Sequence, residues 1–401
     1  MVREYKVDQI GEVVGGGTPS TANAEYWNGD IPWISPKDLT GYSSVYISCG
    51  ESSITKEGLN KSGTRLLPKD TVLFSSRAPI GYVAIAQNPL CTNQGFKSII
   101  CNKSIIDPLY LYYYIKANLD YFKLWGSGAT FPEISGSAMR RIKVSIIDDI
   151  GLQKKISTLL YSYDNLIEVN NKRIKILEQM AENLYKEWFV RFRFPGHETA
   201  EFENGLPKGW KRNRISHYYL TSSGGTPSRD HDEYYDGGTI PWIKTGELQD
   251  CLLIDTEEKI TEAAVKRSSA KIFPKDSVLM AMYGVNIGMQ AYSTMKATCN
   301  QACCVFRDKG SINTKHYLFQ CLKSIRDYLF LIGFGAAQQN LSQDLIKRIR
   351  IVMPDKDTLI KLEQKIEPLY RETKLLLKAN AKLIQQRDLL LPRLMSGKLE
   401  V

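Results

Sequence analysis

Four histidines, at positions 197, 217, 231 and 316, and eight cysteines are the side chains here whose types most readily carry catalysis or hold a metal. Cys299, Cys303 and Cys304 come nearest to a metal cluster. No second CxxC or histidine pair stands at zinc-ligand spacing, so the cysteines read as reduced core thiols. Pro354-Asp355 followed by Glu363-Gln364-Lys365 fits a loose PD...ExK nuclease pattern. Such a site needs acids and lysine converging on a metal, whereas Glu363 and Lys365 fall in a helical repeat where residues two apart face different ways. The loops GGGTPS and SGGTPS offer backbone amides for an anion nest, but no lysine follows at P-loop spacing, and a tight turn between strands is the simpler expectation. There is no GxxxxGK[ST], no GxGxxG and no Asn/Asp-Pro-Pro-aromatic box for a flipped base. The reading is a chain without catalytic residues, cofactor or metal.

The elements that position these residues occur twice. Thr18 matches Thr226, Trp33 of IPWI matches Trp242, and LPKDTVL from Leu67 matches FPKDSVL from Phe273. Gly81, Asn93-Gln94 and Arg141-Ile142-Lys143 match Gly288, Asn300-Gln301 and Arg348-Ile349-Arg350. Within each half, short β-branched and aromatic runs alternate with turn signals such as Asn28-Gly29 and Asp236-Gly237, which predicts a strand-rich body. The segments DPLYLYYYIKANLDYFKLW and NTKHYLFQCLKSIRDYLFLI read as amphipathic helices covering the sheets, their aromatics belonging to the core.

Each half then runs into a long helix. From Ile156 the three-four rhythm lands on Leu160, Tyr163, Ile167, Asn170, Ile174, Leu177, Ala181, Leu184 and Trp188, with no Pro or Gly between. A rod of that length spans roughly 55 Å. A second seam runs through Leu359, Leu362, Ile366, Leu369, Thr373, Leu376, Asn380, Leu383, Leu390 and Leu394, with Arg387 a polar misfit. The two rods are expected to pack antiparallel within the chain, with Asn171 and Asn380 fixing register and with Pro368 and Pro392 kinking or ending the second helix.

The chain has 401 residues, enough for more than one domain, and its 53 Lys and Arg against 43 Asp and Glu give a net charge of +10, which suits a polyanionic partner. The opening MVREYKVDQI has no apolar signal core, and no run approaches the length of a membrane span, so a cytoplasmic protein is expected.

Several strings resemble the specificity subunit of type I restriction-modification systems: the GGTPS and IPWI repeats, LYKEWFVRFRFPGHE at 184–198, LPKGWK at 206–211 and LLLPRLMSGKL at 389–399. The resemblance implies an α/β (α+β) chain of two tandem target recognition domains, at 1–150 and 207–356. Two long antiparallel coiled-coil-like helices, at 151–190 and 357–401, would set their spacing, with a linker at 191–206. It further implies double-stranded DNA read as a bipartite target, two methyltransferase subunits and restriction/translocase subunits as partners, and methyl-donor and ATP chemistry residing in those partners. Leu184, Trp188, Phe189, Leu390 and Leu394 are the candidate docking residues. A stand-alone architectural or regulatory DNA-binding protein is the alternative reading.

Positions shared by the halves should build the scaffold, and differing positions on shared loops should read different half-sites. Ser35-Pro36-Lys37 becomes Lys244-Thr245-Gly246, and Ser75-Ser76-Arg77-Ala78-Pro79 becomes Met282-Tyr283-Gly284-Val285-Asn286. Thr130-Phe131-Pro132-Glu133 becomes Ala337-Gln338-Gln339-Asn340. The candidates for base readout are therefore Ser35, Lys37, Ser76, Arg77, Thr130, Phe131, Lys244, Thr245, Tyr283, Asn286, Gln338 and Gln339, because Arg can pair with guanine and Gln or Asn with adenine. Arg140, Arg141, Lys143, Lys347, Arg348 and Arg350 are candidates for phosphate, as Lys37 and Lys244 also are.

Overall fold

In a computed structural model the described residues are 2–128, 130, 132–310, 314–334, 340–397 and 399, Phe334 without its side chain. The chain divides into two compact units, Met1–Asn170 with Asn380–Val401, and Asn171–Ala379. That division falls inside both long helices. The ends of the helices join the globular cores, through Ile156, Leu160 and Leu394 in the first unit and Ala181, Leu362 and Ile366 in the second.

The first unit is built on a five-stranded sheet in the order Gly11–Gly15, Lys97–Cys101, Val72–Phe74, Val83–Ala86, Tyr46–Ile47. Pairing is antiparallel except for the last strand, which runs parallel to its neighbour. A three-stranded sheet places Trp27–Ile34 between Ser52–Ile54 and Cys91–Thr92, and Val2–Lys6 pairs with Lys143–Ile147. The second unit repeats this topology strand for strand. Its five-stranded sheet runs Tyr219–Ser223, Cys303–Asp308, Ser277–Ala281, Gln290–Ser293, Cys251–Leu253. Its small sheet centres on Ile240–Ile243, and Lys211–Arg214 pairs with Arg350–Met353. The central strands Val72–Phe74 and Ser277–Ala281 are buried at every position, as a strand covered on both faces must be.

Helix α1 (Pro108–Ala117) covers the first sheet. Asp107 caps it by accepting from the Tyr110 amide at 2.9 Å, and Pro108 supplies the preset first turn. Its tyrosines are core residues with placed hydroxyls: Tyr114 accepts from the Ser145 amide at 2.9 Å, and Tyr113 donates to Asp164 at 2.6 Å.

The GGTPS loops are turns locked by close backbone approach. A Cβ on Gly16 would lie 2.0 Å from the Asn93 carbonyl oxygen, and one on Gly224 1.9 Å from that of Cys299. The Gly17 and Gly225 amides donate to the Thr92 and Cys299 carbonyls, each at 2.9 Å. Trp33 and Trp242 donate to the Gly17 and Gly225 carbonyls at 2.9 and 3.1 Å. Thr18 and Thr226 donate to Gln94 and Gln301. The shared Thr, Trp and Asn-Gln positions thus build one scaffold twice, and the Gly17 and Gly225 amides are already spent on it. Cys299, Cys303 and Cys304 lie in the second core, where burial pushes the Cys304 thiol up to about 12.

Helix α2 (Ile150–Tyr185) continues through a wider turn to Val190, and the cover helix α3 (Lys315–Ser324) precedes helix α4 (Lys356–Met395). The last is unbroken through Pro368 and Pro392, so neither proline ends it. The carbonyls each proline deprives of a donor belong to Gln364 and Asp388, both on exposed positions where water can serve them. In the first unit α2 and α4 pack antiparallel. Asn170 donates to Asn380 at 2.8 Å, the seam asparagine being Asn170 rather than Asn171, and the misfit Arg387 pairs with buried Asp164. In the second unit Arg173 meets Glu372 at 2.8 Å, and Ile174, Leu362 and Ile366 are buried.

Candidate nucleic-acid interface

The loop after each IPWI strand opens a 3-10 turn capped by an acid. In the first unit the Ser35 amide and hydroxyl both donate to Asp38 Oδ2 at 2.7 Å, and Asp38 Oδ1 accepts the Glu51 amide at 2.7 Å. In the second unit Glu247 accepts the Lys244 amide at 2.7 Å and the Glu257 amide at 2.9 Å. Lys37 pairs with Glu51 and Lys244 with Glu257, each at 2.8 Å. One acid–lysine device therefore recurs, with its lysine supplied from two different sequence positions. The glutamate hydrogen bond raises each lysine's pKa, so both stay charged. Solvent screens an exposed pair of this kind, so a phosphate can displace the carboxylate at little cost. The Thr245 carbonyl accepts from Asn286 Nδ2 at 3.0 Å, which makes Asn286 a brace of that loop.

Arg77 donates to Glu133 at 3.2 Å, and Lys97 reaches the same carboxylate at 3.3 Å. The Arg77 side chain is 39% exposed, held in place yet open to a ligand. Its loop is joined to the next by the Ile134 amide donating to the Ser76 carbonyl at 3.0 Å, and exposed Thr130 lies on that second loop. Ser76 itself is fully buried, its hydroxyl donating to the Gly95 carbonyl at 3.1 Å. It is scaffold and leaves the set of reading residues. In the second unit the equivalent loop exposes Tyr283, bridged to Asn340, and Val285 at 98% exposure. Phe131, Gln338 and Gln339 lie outside the described residues.

Arg140 donates to the Val13 carbonyl and Arg141 to that of Ser137, each at 3.3 Å, while Lys143 pairs with Glu4 at 2.8 Å and Lys347 with Asp344 at 3.1 Å. Arg348 is exposed, and Arg350 stands directly opposite Arg214 in an antiparallel pair, both exposed. Arg212, two residues along the same strand, shares that face, giving a basic ribbon that raw charge counts miss. The signal was present as the string KRNR at 211–214. Like charges set side by side cost stability, and a polyanion relieves them.

Of the five docking candidates, Trp188, Phe189 and Leu394 are buried, and Leu184 and Leu390 are half-buried. Trp188 and Phe189 are buried in the second core among Tyr185, Trp210 and Tyr317, with Leu184 packed against it. Leu394 is fully buried in the first core, and Leu390 packs on it. Apolar heptad spacing says that a residue is covered, and here the chain's own body covers it. Among the described residues of α2 and α4, the exposed large apolar side chains are Leu166, Val169, Ile384 and Leu389 in the first unit, and Ile176, Met180, Ile360 and Leu375 in the second. Asp355 of the nuclease-like string caps α4: it accepts from Thr358 N and Oγ1 and from Trp210 Nε1, at 2.9, 2.7 and 2.9 Å.

Two copies of one α/β fold, each tied to halves of two long helices and presenting differing charged loops on a shared frame, define a duplicated recognition module. The type I restriction modification DNA specificity domain matches residues 2–179 and 207–383, and the chain belongs to that family. It is a specificity subunit and not one of the catalytic chains of such systems. The type I restriction enzyme MjaIX specificity subunit of Methanocaldococcus jannaschii is 36% identical over 407 residues, covering 99% of this chain and 93% of the relative. The HindI specificity subunit of Haemophilus influenzae is 23% identical, covering 89% and 92%. The crystal structure of the type I restriction-modification S subunit from M. genitalium shares the fold, with a TM-score of 0.66 at 14% identity, covering 98% of this chain and 96% of that one. No described helix is long and apolar enough to cross a membrane.

Proposed function

We propose that this chain reads a bipartite DNA target, one half-site per unit, and carries modification (methyltransferase) and restriction subunits to it. The observation that carries this reading is the duplication itself: one scaffold, fixed twice by Trp33 and Trp242 and by the Asn-Gln loops, presents Arg77 and Thr130 in one copy and Tyr283 and Val285 in the other. Arg77, half-held by Glu133, is suited to bidentate pairing with guanine, while Lys37, Lys244 and the Arg212, Arg214 and Arg350 ribbon suit phosphates. The exposed apolar residues Leu166, Val169, Ile384 and Leu389, and their second-unit counterparts, are the surfaces on which methyltransferase subunits dock. The test is competition binding of the assembled methyltransferase complex across duplexes varied one base pair at a time. Arg77→Ala should lower discrimination at one position of one half-site by about 1–3 kcal/mol and leave the other half-site untouched. Equal loss at every position, or none, would refute the assignment.

A further inference from the structure

His316, on α3 in the second unit, is 1% exposed and sits against α4. Its Nδ1 lies 3.0 Å from both oxygens of Glu363. Its Nε2 makes no hydrogen bond and points toward Glu367, whose Oε2 is 3.5 Å away. The ring is held flat on Tyr370, with centroids 4.3 Å apart and 15° between planes. One donor atom from each of His316, Glu363 and Glu367 lies within 4.8 Å of the others, and the 3.5 Å between His316 Nε2 and Glu367 Oε2 matches the ligand separation of about 3.4 Å around a zinc-sized ion. Glu367 is 47% exposed, which gives an ion a way in from water.

The first unit shows that the fold does not require this trio. Leu109 occupies the place of His316, second in its cover helix. Ser157 and Tyr161 stand as far beyond Asp149 as Glu363 and Glu367 stand beyond Asp355. There the same helix contact is made with apolar and hydroxyl groups: Ser157 donates to Asp107 at 3.0 Å, and Tyr161 packs edge-on against Tyr46. A buried imidazole with an unpartnered nitrogen costs free energy unless something occupies that nitrogen. The surrounding charge favours a cation. Glu363 faces the ring, while Glu367 and Asp276 share one ammonium, that of Lys315, which lies 3.5 Å from Glu367 and 3.7 Å from Asp276 and so keeps Asp276 as a partner if Glu367 turns to a metal. Asp308 faces the same group; burial raises its pKa and the Glu363 charge adds to the shift.

We infer that His316 Nε2 and the Glu367 carboxylate, with Glu363 orienting the ring through Nδ1 and water filling the remaining positions, form a divalent transition-metal site that fastens α3 to α4. The carboxylate–imidazole–metal order is the arrangement in which the outer acid fixes the tautomer and raises ligand basicity. The mixed nitrogen and oxygen donor set suits zinc, cobalt or manganese.

The test uses the full chain, stripped with chelator and titrated with Co2+ and separately with Zn2+. One equivalent of Co2+ should give visible d–d bands without thiolate charge transfer, which separates this site from the eight cysteines. Zn2+ at a hundredfold excess over its Kd should raise the Tm of the second unit by roughly 5–10 °C. His316→Leu, which takes the first unit's residue, and Glu367→Gln should each abolish the bands while leaving the metal-free far-ultraviolet spectrum unchanged. If either variant misfolds, the other decides. Absence of bands and of a Tm shift at millimolar metal would overturn the site, as would unchanged Co2+ binding in the folded variants.

Discussion

Replacing Arg387 by leucine should cost the first unit more than any change on its surface. The guanidinium pairs with Asp164, whose side chain is 5% exposed, while that of Arg387 is 16% exposed, so water reaches neither freely. Removing one member of a buried pair leaves an uncompensated charge at about 3–5 kcal/mol. Asp164 keeps one hydrogen bond, from Tyr113 at 2.6 Å, so the lower end, about 3 kcal/mol, is expected. For a unit of this size that is a fall in Tm of roughly 6–12 °C. Scanning calorimetry of the full chain should show the first unit's transition moving while the second stays. The triple change Tyr113→Phe, Asp164→Leu, Arg387→Leu replaces the polar triad with apolar groups, with nearby Lys116 keeping its bond to the Tyr112 hydroxyl at 3.2 Å, and should return to within about 1–2 kcal/mol of the parent. A single variant within about 0.5 kcal/mol of the parent, or a triple variant worse than the single, would refute the view that Arg387 is a buried counter-ion in the helix seam.

Asp355→Ala should destabilise the second unit by about 1–2 kcal/mol at neutral pH through loss of the α4 cap. Burial alone would raise this carboxyl, but the bonds from Thr358 and Trp210 outweigh it and leave the pKa lowered; its contribution is therefore present above the unfolded value and lost as pH falls through the folded one. Denaturant midpoints of parent and variant should accordingly converge as pH falls below the ordinary carboxylate range, and a gap that widens on acidification would be wrong in sign. Gly16→Ala, aimed at the Asn93 carbonyl, should destabilise by at least about 2 kcal/mol, whereas Gly15→Ala meets nothing within 4 Å and should stay within about 1 kcal/mol, both read by thermal melts. Trp188→Ala should lower stability by about 3–5 kcal/mol as a core deletion, while Leu166→Glu should leave the melt unchanged and abolish co-purification of the methyltransferase subunit.

The duplication was legible because Gly16, Trp33 and Asn93-Gln94 each answer a steric or hydrogen-bonding demand that only those residue types meet, so they recur where the backbone recurs. The paired helix seams were legible from apolar spacing. What spacing could not give was the identity of the covering surface: Trp188 and Leu394 obey the heptad rhythm yet pack into globular cores, and Asn170 rather than Asn171 faces Asn380. The reading loops were harder still. Ser76 differs between the halves and is nonetheless buried scaffold, and Lys37 and Lys244, at unmatched positions, arrive at the same acid pair. Side chains displaced along the sequence but coincident in space are invisible to alignment of the two halves. The His316 cluster was hidden for the same reason, since α3 and α4 are far apart in the chain.

The most direct measurement is a map of methylated bases in DNA from cells carrying this chain with its methyltransferase partner, made for the parent and for Arg77→Ala. The account predicts a motif in two fixed parts around an unread spacer, with the variant relaxing one base of one part only. A single uninterrupted motif, or a variant that alters both parts together, would contradict it.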